Sequence, residues 1–198
     1  MKSVRIDTER LHLRPFRHAD AAEFAHLAGD WAVAAMTSDI PYPFSAAQAV
    51  GWLRPVRGEV RFAVEREGRL IGGAGYYRRP SGVAELGFWL GRPWWGQGYA
   101  TEAARAVVRH GFGNRRLPGF SSARFSDNAA SARVLDKLGF EVVGRGTIAC
   151  AARGHDVEAI TYWLDRQRAR LAVPPIIAAE AETPRPRWRA WLSLLSGA

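Results

Sequence analysis

A chain of 198 residues, 47% hydrophobic and 24% charged, has the balance of one globular domain with one good core, and neither a disordered nor a fibrous composition. The opening MKSVRIDTERLHLRP scatters charge where a secretory signal needs an apolar run, and no stretch reaches the ~18 apolar residues of a membrane helix, so a soluble cytoplasmic protein is expected. The formal charge of +9 rests almost wholly on arginine, since Lys2 and Lys137 are the only lysines; this suits phosphate contacts, but no long run of like charges marks a nucleic-acid tail.

In chain order, RIDTERLHLRPF alternates apolar Leu11 and Leu13 with polar neighbours and predicts a strand ended by Pro15. HADAAEFAHLAG predicts a short helix that stops at Gly29. Ser45 with Gln48 is a capping-box pattern, so a second helix is predicted to start there and to break near Pro55. EVRFAVE, LIGGAGYYRR and VAELGFWL predict three strands of an antiparallel meander. A glycine loop follows, then a helix over about 101–112, a short strand at FSSARF, and a helix NAASARVLDKLGF ended by Gly139. A strand from Phe140 and a last strand VEAITYWL complete the pattern. After Leu171 the prolines of VPPIIAAEAETPRPRWRAWLSLLSGA mark a linker and tail, which divides the chain into a domain over 1–170 and a tail over 171–198. Trp188, Trp191, Leu192 and Leu195 share one helical face of that tail, which fits a frayed end, a self-packed end, or a speculative membrane or partner contact.

The loop WLGRPWWGQGYATEA joins a strand to a helix N-terminus, where backbone N–H groups and the helix dipole attract anions. A Walker loop needs GK followed by Ser or Thr, which is absent. A dinucleotide fingerprint needs GxGxxG or GxGxxA, and Gly96, Gly98 and Thr101 miss it; no acidic residue lies about 20 positions on. A loop that grips a pyrophosphate through backbone amides alone satisfies the residues present. WGQGYATEA after a strand, with NxxSxxVLxKLGF beginning at Asn128, resembles the GNAT N-acetyltransferases, in particular the RimJ/RimL-type branch that acetylates N-terminal amines of ribosomal proteins. The resemblance covers about residues 5–166, with Trp95 standing where many members have Gln or Arg.

The resemblance implies an α/β fold: a mixed, mostly antiparallel sheet of six or seven strands, flanked by helices and splayed where VAELGFWL and FSSARF diverge. It implies acetyl-CoA as co-substrate with no metal, and a cofactor-binding set of Phe88, Trp89, Leu90, Gly96, Gln97, Gly98, Tyr99, Ala100, Thr101, Asn128 and Lys137. Trp94 and Trp95 are expected to pack the back of the loop against the core; the alternative is that one of them walls the pantetheine or acceptor groove. Arg133 and Lys137 either reach the 3′-phosphate region or form a solvated face.

Attack of an amine on a thioester needs a base, because amines near pKa 8 to 10.4 are protonated at neutral pH. Glu85, on the strand before the loop, is the candidate catalytic base, with a salt-bridged strand residue as the alternative. Many GNAT enzymes use a tyrosine as acid seven residues after the asparagine; Leu135 stands there, so the branch's serine, Ser131, is the candidate catalytic hydroxyl. Asn128 would bind the cofactor's amide arm, or serve as a helix cap. The histidines 12, 18, 26, 110 and 155 lack metal-ligand spacing, and His155 with Asp156 is a candidate for the acceptor pocket, in a loop before the last strand. Cys150 is expected to be a small buried hydrophobe.

The expected function is therefore transfer of an acetyl group to a primary amine of a protein N-terminus or small molecule. A ribosomal protein is a candidate partner, and the enzyme a monomer or homodimer. The alternative is a basic RNA- or ribosome-binding protein with a non-catalytic fold of the same kind.

Overall fold

The computed structural model describes residues 4–173, so the tail helix face at Trp188 to Leu195 and the prolines from Pro174 lie outside the described residues. One sheet carries eight strands in the order β1-β2-β3-β4-β5-β6-β8-β7: β1 Ile6–Asp7, β2 His12–Arg14, β3 Glu59–Arg66, β4 Arg69–Arg78, β5 Ala84–Leu90, β6 Gly119–Phe125, β7 Glu141–Cys150 and β8 His155–Asp165. Eight replaces the expected six or seven because RIDTERLHLR is a hairpin and not one strand. The Thr8 hydroxyl donates to Leu11 O at 3.1 Å and turns the chain, so Ile6 pairs with Leu13.

The meander β3-β4-β5 is antiparallel as predicted, with Glu59↔Tyr77 and Tyr77↔Glu85 among its partners. β5 and β6 are parallel and paired only at Ala84↔Phe120 and Glu85↔Ser121, after which they part. That is the expected splay.

Among the described residues, six α-helices flank the sheet: α1 Ala21–Ala28, α2 Trp31–Ala34, α3 Ala46–Trp52, α4 Tyr99–Gly113, α5 Ala129–Lys137 and α6 Arg166–Ala172. The Ser45/Gln48 capping box closes α3 as its spacing implied. Helix α2 carries too few residues for a periodic signal; Asp30 caps it by accepting from Ala32 N at 2.8 Å. Helix α6 runs across position 171, and Val173 is buried against the main core.

The two faces of the sheet bury separate cores. Under α4 and α5, residues such as Val107, Leu135, Leu138 and Phe120 are fully buried. Under α1 and α3, Phe24 meets the rings of Phe16, Phe44, Trp52 and Trp89 at centroid distances of 5.7, 5.3, 4.7 and 5.0 Å. Each such ring removed from water contributes roughly 1.5–3 kcal/mol. This second core fixes α1 and α3, and with them the neighbouring α2, over the end of the cleft away from α4.

A buried ion-pair network ties the first segments together. Arg14 reaches Asp20 through NH1 at 2.7 Å and NH2 at 2.8 Å, and Glu65 through NH2 at 2.7 Å. Burial alone would raise the Asp20 carboxyl, but Arg14 and the Arg17 N–H bring it below its ordinary value.

Candidate functional site

Where β5 and β6 separate, a cavity of about 580 Å³ opens through the sheet, with α4 and α5 along one end and the α2 segment along the other. Glycine shapes one of its walls. Gly96 and Gly98 have φ of +75° and +83°, the left-handed region that other residues adopt at a cost, and Gly98 is the N-cap of α4. The first N–H groups of a helix lack intrahelical partners, so those of Tyr99, Ala100 and Thr101, which line the cavity with Gly96 and Gly98, form an anion-attracting end.

Gln97 is set apart from that wall. Its side chain donates to Pro93 O at 3.1 Å, and its carbonyl accepts from Arg10 NH1 at 3.1 Å. Arg10 also holds Glu102 in the first turn of α4, at 2.8 Å through Nε and 2.7 Å through NH2, and lies over the Tyr99 ring. The β1–β2 turn thus braces the loop from 87 to 92 residues away, a contact no local pattern announces.

The tryptophan pair divides its work. Trp94 packs against the α4-side core, with its ring 6.4 Å from Tyr99, as expected. Trp95 is 43% exposed, and its indole N–H donates to Leu90 O at 2.7 Å. Both tryptophans line the cavity. Phe88, Trp89 and Leu90 line the same cavity, Trp89 with its ring mostly in the α1-side core.

From the other side, Asn128, Ser131, Arg133 and Lys137 line the cavity along α5. Asn128 is the N-cap of this helix, its side chain accepting from Ser131 N at 3.0 Å. Leu135 is fully buried in the core, so no tyrosine-like group reaches the cleft from that position.

Glu85 lines the cavity at 6% exposure, beside the last β5–β6 pair. It is salt-bridged, the alternative reading for it: Arg79 donates to its Oε2 from Nε at 2.8 Å and lies at 2.6 Å through NH2. Burial pushes the Glu85 carboxyl above the ordinary carboxylate range, with Arg79 opposing.

His155 is not brought to this site. It is the first residue of β8, paired with Cys150 and not in a loop, and with Arg153, Trp31, Ala35 and Met36 it lines a separate depression. Arg153 fastens that hairpin, donating to Ala35 O at 2.8 Å and pairing with Asp127 at 2.8 Å. Cys150 is buried, with its Sγ against Thr37 O. Among the described residues no group of three or more His, Cys, Asp or Glu is arranged to hold a metal ion, and no helix is long and apolar enough to cross a membrane.

Residue spacing missed the opposite end of the cavity: Phe16, Trp52, Arg61, Tyr77 and the α2 segment from Ala32 to Ser38. These belong to elements scattered along the chain, and only the sheet register collects them.

The description Acetyltransferase (GNAT) domain matches residues 10–141 of this chain. The protein named uncharacterized N-acetyltransferase YoaA of Bacillus subtilis (strain 168) is 32% identical over 149 residues, 70% of this chain and 84% of its own. The acetyltransferase (GNAT family) structure from Bacillus anthracis superposes with a TM-score of 0.72 at 23% identity, covering 83% of this chain and 99% of its own. RimL, the ribosomal L7/L12 alpha-N-protein acetyltransferase solved in complex with Coenzyme A, superposes at 0.69 with 18% identity, over 82% of this chain and 98% of its own.

Proposed function

Because the chain belongs to the GNAT acetyltransferase family, we propose that it transfers the acetyl group of acetyl-CoA to a primary amine, of a protein N-terminus or a small molecule, by direct attack. The observation that carries this reading is the two-pair contact between β5 and β6, which opens the sheet directly beside the helix N-terminus capped by Gly98. The donor set fits a CoA thioester: amides for a pyrophosphate, Lys137 and Arg133 for further phosphate, and Asn128 for an amide arm, all on the cavity wall.

The bound thioester supplies an activated acetyl carbonyl and a thiolate leaving group. The chain's own residues do the rest. Glu85 takes the proton of the incoming ammonium, directly or through a water, and its raised pKa brings it nearer to the working pH of a base. The Ser131 hydroxyl is the proton donor to the leaving thiolate. Holding amine and carbonyl together between α2 and α5 supplies the largest part of the acceleration. This unit comprises about residues 1–170, and its location is proposed to be cytoplasmic.

The test is a thiol-release assay with acetyl-CoA against a panel of amines and N-terminal peptides, a ribosomal-protein N-terminus among them. Release that depends on the amine supports the reading, and none with any acceptor overturns it. A second reading, a non-catalytic RNA- or ribosome-binding protein, draws on the proximity of Arg115 and Arg170 to Arg166. Salt-dependent RNA binding without CoA affinity would favour it.

A further inference from the structure

On the face of the sheet that buries Trp89 with α1, successive rows of Cα partners cross β3, β4 and β5. Tyr77 pairs with Glu85, Gly75 with Arg61 and Gly87, and Gly73 with Ala63 and Trp89; all of these but Ala63 line the cavity. Side chains alternate along a strand, so Gly73, Gly75 and Gly87 lie on the same face as Glu85 and leave it bare. At Gly73 the bare strip reaches its edge: a Cβ there would stand 2.7 Å from Trp89 Nε1 and 3.1 Å from Phe16 Cζ.

An aromatic arc borders this strip. Trp89 and Phe16 meet at Gly73, Phe16 lies 6.3 Å from Trp52 with the rings nearly perpendicular, and the Arg61 guanidinium sits 4.3 Å over the Trp52 ring. Phe16 and Trp52 are only half-buried and both line the cavity, as do Val33 and Met36 of the α2 segment. Polar groups at this end are engaged with protein: Arg61 donates to Trp52 O at 2.5 Å and Arg54 O at 2.8 Å, and the Thr37 hydroxyl donates to Ala34 O at 2.9 Å. What an acceptor meets beyond Glu85 is therefore mostly ring and aliphatic surface over a floor without side chains.

We propose that this end of the cavity binds an aromatic ring that the acceptor carries two carbons from its amine, as in an arylalkylamine or an N-terminal phenylalanine, with Gly75 and Gly87 beneath the ring and Phe16 and Trp52 beside it. The proposal rests on the acetyl-transfer reading above. Gly87 is two residues from Glu85 along β5, about 7 Å, so an amine held at the Glu85 carboxylate lays a ring at that spacing over the glycines. Burial of the ring and its edge-to-face contacts with the arc favour such an acceptor, and a short alkylamine leaves the same surface unfilled.

The experiment measures thiol release from acetyl-CoA with phenethylamine against ethylamine, and with the peptide amide Phe-Ala-Ala against Gly-Ala-Ala. Values of kcat/KM are compared in their pH-independent form, so that the amines' own pKa values drop out. The ring-bearing member is expected to exceed its partner by at least tenfold, and the ratio to fall at least threefold in Phe16→Leu, which keeps apolar bulk and loses the ring. A preference in either pair supports the proposal, and the pair that shows it tells whether the ring belongs to a small amine or to an N-terminal residue. Release with parity in both pairs overturns the proposal and leaves acetyl transfer standing, as does an unmoved ratio in Phe16→Leu with a native-like melt. The wild-type comparison decides the matter even where that variant fails to fold. Release with no amine or peptide at all overturns acetyl transfer itself, and this proposal with it.

Discussion

Arg79 grips Glu85 through two nitrogens on one oxygen, Nε at 2.8 Å and NH2 at 2.6 Å from Oε2, so the carboxylate at the sheet opening is oriented before any acceptor arrives. Glu85→Gln is expected to lower kcat by at least ~10²-fold and to flatten the rise of rate with pH. Arg79 opposes the effect of burial on Glu85, so its removal lets the carboxyl rise further. Arg79→Ala should therefore move the acid limb of the kcat/KM profile to higher pH, since the base must lose its proton to work. An acid limb that stays in place would separate Glu85 from the proton transfer.

Gly98→Ala places a Cβ on a residue at φ +83°, 3.4 Å from Arg10 NH2, on the cavity wall at the start of α4. Strain of this kind costs roughly 1–2 kcal/mol. The larger expected effect is on binding: a rise of at least tenfold in KM for acetyl-CoA, with Tm lowered by only a few degrees. Steady-state kinetics and a CoA thermal shift together check this.

Asn128 and Ser131 are adjacent in space but are expected to separate in kinetics. Asn128→Ala removes a cap worth about 1 kcal/mol and loosens the start of α5, so both Tm and cofactor affinity should fall. Ser131→Ala leaves the cap's acceptor in place, because its backbone N–H is the donor to Asn128. Turnover should fall while KM for acetyl-CoA stays within about twofold; loss of binding instead would make Ser131 a ligand and not an acid.

Asp20→Ala leaves the buried Arg14 guanidinium with Glu65 and the Pro15 carbonyl but without its bidentate carboxylate partner, a change that costs about 3–5 kcal/mol. The folded-state pKa of Asp20 is depressed, so the stability it contributes is present above its ordinary pKa and is lost as pH falls through the folded value. Thermal melts should show a large deficit at pH 7 that narrows only below about pH 4.

Asp39 has the opposite sign. Burial, reinforced by Glu85, lifts its carboxyl to about 7, so its favourable contribution holds below its unfolded pKa and is lost as pH rises toward 7. Asp39→Asn is expected to melt higher than wild type at pH 8, by roughly 2–4 °C for each kcal/mol of desolvation relieved, and to match it near pH 4. A variant less stable than wild type at pH 8 would contradict this.

Much of the fold was readable along the chain because its signals are local. The capping box at Ser45, the glycines at 96, 98 and 139 and the period-two strands each constrain a few neighbouring residues, and each element appears where those constraints placed it. The misreadings have a common cause. The first strand divides because the Thr8 hydroxyl bonds Leu11 O within the run, and α2 has a single turn, too short for a hydrophobic period to show. For Trp95 the sequence left packing behind the loop and a groove wall both open, and its N–H bond to the Leu90 carbonyl at the cavity is a contact no spacing specifies.

The sequence by itself determined the anion-attracting end of the site, because a helix N-terminus with positive-φ glycines is a property of successive residues, and folding added only the Arg10 brace from afar. Only the tertiary structure decided the other end. Arg79 beside Glu85, and Asp39 near Glu59 and Glu85, are contacts made through sheet register and the packing of the N-terminal helices. Electrostatic partners of that kind act through space and leave no period or spacing in the chain, so which carboxylate meets which guanidinium, and how far from water, is fixed by folding alone.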